Sequence, residues 1–101
     1  MNSQIKATLT EQDESFITGL ETYASLMFSK EEIAVILEVD PSYLKELLQD
    51  KSTPVFRNFY SARLKREALI RKGIFELAEN GSSPAQTFAM KLIENAKAND
   101  L

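Results

Sequence analysis

The chain has 101 residues, 44% of them hydrophobic and 27% charged, with a formal net charge of −3 and no Cys, His or Trp. That length fits one compact domain able to bury a core without covalent staples, and the missing residue types exclude disulfides, thiolate nucleophiles, Cys/His zinc sites, iron–sulfur ligation and imidazole bases. No stretch approaches the roughly 20 apolar residues of a membrane span, and Met1–Thr10 lacks the basic and apolar regions of a signal peptide, so a cytoplasmic location without membrane partners is expected.

Residues 1–10 read as a flexible N-terminus. The first helix is expected over about 11–27, capped by Thr10, with Phe16, Ile17, Leu20, Tyr23, Ala24 and Met27 on one stripe at helical spacing. Gly19 inside it weakens the helix relative to Ala. Ser29 with Glu32 three residues on forms a capping box that opens a second helix, whose apolar face is Ile33, Ala34, Ile36 and Leu37. Glu38 and Val39 make a turn. Asp40-Pro41 then starts a third helix bearing Tyr43, Leu44, Leu47 and Leu48, because proline at the first helical position forfeits no hydrogen bond. Thr53-Pro54 likewise opens a long fourth helix to about Asn80, where Asn80-Gly81 is its stop. Ser83-Pro84-Ala85-Gln86 reads as a second capping box, starting a last helix that buries Phe88, Ala89, Leu92, Ile93 and Ala96. No segment alternates apolar and polar residues over strand length, so the fold class is all-α. One compact domain is expected, with a three-helix region over 11–52 and a long-helix hairpin over 53–97 that supports it or drives oligomerisation.

Charge is unevenly spread. Residues 1–50 hold three lysines against ten acids, whereas residues 51–101 hold nine basic side chains against five acids. The basic excess is concentrated in Lys51, Arg57, Arg63, Lys65, Arg66, Arg71 and Lys72. A basic face of this kind suits phosphate neutralisation with counterion release.

Residues 29–48 have the apolar skeleton of a helix-turn-helix. Ala34 is small enough for close approach, Val39 plugs the turn, and Leu44 and Leu47 lock the third helix across the second. In such a unit the third helix enters the major groove and its exposed side chains meet base edges. Lys45 and Gln49 would donate to bases, Ser42 and Tyr43 would meet phosphate or base edges, and Glu46 would accept from cytosine. Lys51, Arg57, Arg63, Lys65 and Arg66 would contact phosphates of double-stranded DNA. Glu38 occupies the turn slot most often filled by Gly, where a left-handed backbone is uncommon for Glu.

The stretches Tyr23–Phe28, Glu32–Leu37, Phe59–Lys65, Leu69–Lys72 and Leu77–Gln86 together resemble the small subunit of phage terminase and its helix-turn-helix relatives, over about residues 23–96. The resemblance implies a non-enzymatic recogniser of viral DNA that assembles as a homo-oligomer. It implies further that the DNA is handed to a large subunit supplying ATPase and nuclease activity, inside a bacterial host cell. An alternative is a helical oligomerisation or regulatory module that reads no sequence. Phe56, Tyr60 and Phe75 are the candidate oligomerisation residues, since the long helix carries more aromatic surface than three short helices can hide. Catalysis is the least favoured reading. Glu31, Glu32, Glu38, Asp40 and Glu46 are acids of the type that holds a divalent metal, but acids near helix starts are stabilised by the helix dipole, and a charged, solvated face is the expected reading. No Gly-rich phosphate loop is present, and neither a catalytic residue, a metal nor a cofactor is expected.

Overall fold

Five helices follow one another in the computed structural model, which describes residues 14–100: α1 (Glu14–Ser25), α2 (Lys30–Ile36), α3 (Pro41–Leu47), α4 (Pro54–Glu79) and α5 (Ser83–Asn99). The fold is all-α, and no strand occurs among the described residues. Thr10 and the residues expected to begin the first helix lie outside the described residues. The chain divides into two compact units, 1–66 and 67–101. The division falls inside α4, whose opening turns cluster with the three short helices.

In the first unit α2 packs on both α1 and α3. Their shared core is Phe16, Leu20, Ala24, Ile33, Ala34, Leu44 and Leu48, completed by Val55 and Phe59 from α4. Leu20, Ala24, Ile33, Ala34 and Leu44 are fully buried. Ala24 and Ala34 give the helices room to approach, and Leu37 and Val39 pack against the same core, so the turn is plugged as the sequence requires. Gly19 serves that approach too. A Cβ there would stand 2.6 Å from Leu37 Cδ2, closer than atoms tolerate. Ile36, expected on the buried face of α2, is instead 39% exposed, because Ile33 and Ala34 already fill the seam.

The starts of α2, α3 and α4 are each fixed by a specific polar cap. Ser29 Oγ accepts from Glu32 N–H at 3.1 Å while Ser29 N–H donates to Glu32 Oε1 at 2.9 Å, completing the capping box. Asp40 Oδ1 accepts from Ser42 N–H, with Pro41 at the first helical position. Thr53 Oγ1 accepts from Phe56 N–H at the start of α4.

Three helix ends share one closing pattern. After α1, Met27 N–H donates to Ala24 O and Phe28 N–H to Tyr23 O; after α2, Glu38 N–H donates to Val35 O and Val39 N–H to Ala34 O. After α4, Gly81 N–H donates to Ala78 O and Ser82 N–H to Leu77 O. This is the Schellman arrangement, which needs a left-handed residue at its centre. Gly81 (φ 100°) adopts it freely, but Met27 (φ 66°) and Glu38 (φ 59°) do so as non-glycine residues, at a cost of about 1 kcal/mol each. Met27 therefore leaves the helical stripe on which its spacing had placed it and is 49% exposed.

In the second unit the stop at Asn80-Gly81 lies where the sequence puts it. The cap that follows does not. Ser82, not Ser83, accepts from Ala85 N–H, and Gln86 Nε2 donates to Ala78 O at 3.1 Å rather than completing a capping box. The Schellman turn brings Ser82 to the helix entrance and leaves Ser83 inside the first turn. Ala85 and Ala89, one turn apart, are buried on α5, while Phe88 is 57% exposed and Ala96 is also exposed, contrary to the expected apolar face. A two-helix hairpin has a single seam, and the small residues occupy it.

Candidate nucleic-acid interface

The α2–turn–α3 unit fixes which edge of α3 meets solvent. Leu44 and Leu48 are buried and Leu47 half-buried, so the side chains between them on the helical wheel point away from the core. Ser42, Lys45, Glu46 and Gln49 are all exposed, and Tyr43 is half-buried at the border of that edge. The left-handed Glu38 closes α2, its own N–H donating to Val35 O while the N–H of Val39 donates to Ala34 O. A shallow groove lies where α2 and α3 begin, lined by Lys30, Glu31, Pro41, Ser42 and Lys45. Lys30 was not among the residues singled out from sequence. Its place beside Ser42 and Lys45 comes from the packing of α2 on α3, for which a lone lysine after a cap serine gives no local signal.

The basic residues singled out between 51 and 66 divide into two groups. Lys51, Arg57 and Lys65 are exposed, with their charges free to meet an anion. Arg63 and Arg66 are half-buried and turned to the end of α1. Arg63 Nη2 donates to Phe28 O at 2.8 Å, and its guanidinium lies 4.3 Å from the centre of the Phe59 ring. Arg66 Nε donates to Ser25 O at 2.9 Å and its Nη2 to Ser25 Oγ at 3.2 Å. α1 has no basic residue in its last turn. The two arginines supply from α4 the positive charge and donors that unsatisfied carbonyls at a helix C-terminus attract. They are thus structural fasteners first, and Lys65 is the cation of this stretch left on the surface.

Phe56 and Tyr60 stack with ring centres 5.5 Å apart and planes 17° from parallel. Tyr60 is 51% exposed, Phe56 and Phe75 are half-buried, and the Phe56–Tyr60 pair presents one aromatic face to solvent. The acids near the helix starts are occupied locally, Glu32 by Ser29 N–H and Asp40 by Ser42 N–H. Among the described residues no three acidic side chains converge to hold a metal, and no helix is long and apolar enough to cross a membrane.

No family model, curated protein or solved structure matches the chain, so a functional reading rests on its own residues.

Proposed function

We propose that the chain binds double-stranded DNA through its helix-turn-helix, with α3 as the reading helix, and that it does no chemistry on the DNA. The observation that carries this reading is the exposed polar edge of α3: Ser42, Lys45, Glu46 and Gln49 stand out from a helix whose Leu44 and Leu48 are sealed in the core. Lys45 and Gln49 offer donors to base edges and Glu46 an acceptor. Lys30, Lys51, Arg57 and Lys65 are the phosphate contacts the geometry favours. The resemblance to phage terminase small subunits adds a packaging role, a large ATPase and nuclease subunit as partner, and a bacterial cytoplasm as the setting.

Binding to a pool of random DNA duplexes at a series of salt concentrations tests the reading. Each neutralised phosphate contributes about −0.9 to the slope of log affinity against log salt. Removing the charges of Lys30 and Lys65 together (Lys30→Gln, Lys65→Gln) is expected to flatten that slope by about 1.8, two phosphates' worth. Failure to bind any duplex at low salt would end the proposal. Sequencing the bound fraction would then identify the site that α3 prefers.

A second reading, a homo-oligomer, is supported by the second unit. Leu69, Ile70, Leu77, Phe88 and Met90 are each more than half exposed on its two helices, and a piece this small seldom closes a core alone. Sedimentation at rising concentration decides it, and oligomerisation would strengthen weak DNA contacts through effective concentration.

A further inference from the structure

The turn between α1 and α2 exposes three consecutive large apolar residues: Leu26 (54%), Met27 (49%) and Phe28 (36%). Such a run on a surface is unfavourable unless something covers it. Met27 also holds the left-handed conformation at φ 66°, where Gly would fit without strain. The turn thus keeps an apolar side chain at the position whose backbone least suits one, and strain retained in this way marks functional surfaces.

The outer face of α2 continues the patch. Val35 is 68% exposed and Ile36 39%, and with Phe28 they line a shallow groove whose rim carries Glu31 and Glu32. An apolar floor with an acidic rim rejects several occupants. DNA and anionic lipid would be repelled by Glu31 and Glu32. A second copy meeting the groove with its own groove would set those same acids against each other.

We propose that this groove receives an amphipathic helix of a partner protein that carries basic residues beside its apolar ridge. Apolar anchors at helical spacing would rest on Phe28, Val35 and Ile36, and flanking Lys or Arg would meet Glu31 and the remaining oxygen of Glu32, whose Oε1 already accepts from Ser29 N–H. Glu31 also borders the groove beside Lys30, Ser42 and Lys45, but Phe28, Glu32, Val35 and Ile36 do not, so the proposal does not depend on DNA binding.

The test uses the full chain and a fluorescent 14-residue peptide of Leu and Lys with all its Leu on one helical face. Two control peptides accompany it, a scrambled Leu/Lys sequence and a Leu/Glu counterpart of the same pattern. Binding of the amphipathic Leu/Lys peptide alone is expected. Its affinity should fall at least tenfold with Val35→Ser plus Ile36→Ser, exposed positions where folding is not at risk, and severalfold with Glu31→Gln. Met27→Gly separates structure from binding, because it should raise the thermal midpoint while weakening the peptide. The proposal is overturned if the peptide does not bind or if either control binds as well. It is equally overturned if the double Ser variant or Met27→Gly binds undiminished, or if the double Ser variant dissolves a dimer of the free protein.

Discussion

The two units solve the same problem with unequal means. In the first, three short helices and the start of α4 meet around one point, where Phe16, Leu20, Ile33, Leu44, Leu48 and Phe59 vanish from solvent, although Leu26, Phe28 and Ile36 outside that point do not. In the second, the end of α4 and α5 bury Ala85 and Ala89 while Leu69, Ile70, Leu77, Phe88 and Met90 stay exposed. Apolar content therefore does not determine burial. Crossing helices from several directions close a core, whereas two adjacent helices share one seam and leave their outer faces wet.

Substitutions can break or sharpen this contrast. The largest effect belongs to Leu44→Ala, which empties a fully buried position and is expected to destabilise the protein by about 2–5 kcal/mol. Phe88→Ser is the matching change in the hairpin, and in the monomer it should stay within about 0.5 kcal/mol. Chemical denaturation of both variants measures the difference, and equal losses would refute the contrast. Glu38→Gly is smaller and of opposite sign. It relieves a left-handed non-glycine residue, with an expected gain of about 1 kcal/mol; a loss would mean that the Glu38 side chain makes a compensating contact.

The smallest effect concerns acid. The Ser52 hydroxyl, 2.6 Å from Asp50 Oδ1, and then Ser52 N–H at 3.0 Å hold the Asp50 carboxyl below the ordinary carboxylate range. This carboxylate favours the fold above the unfolded value of about 3.9 and loses that contribution as pH falls through its lowered folded value. In Ser52→Ala the Asp50 midpoint, followed by carboxyl NMR, is expected to rise toward the ordinary value. An unmoved midpoint would assign the shift to another cause.

Local signals in the sequence located the capping box at Ser29, the Asp40-Pro41 and Thr53-Pro54 starts and the Asn80-Gly81 stop, because each is written within three or four residues. The α3 edge was legible for the same reason: Leu44 and Leu48 set its phase. What escaped local reading depended on distance or on competing turns. Arg66 and Ser25 are 41 residues apart, so nothing near either one announces their bond. Ser83 has the composition of a cap, yet the Schellman turn at Gly81 assigns that task to Ser82. Phe88 is as apolar as any core residue, but periodicity cannot reveal that the buried side of its helix is taken by Ala85 and Ala89.

The bonds from Arg63 and Arg66 to the end of α1 also define what could be lifted out of this protein and still hold together. An excised three-helix piece ending at residue 52 would lose Val55, Phe59 and both guanidinium anchors, leaving α1 unfastened and the floor of the core open. The smallest portable version of the α3 edge therefore runs past Arg66, and any transplant of this surface to another scaffold must carry the opening turns of the long helix with it.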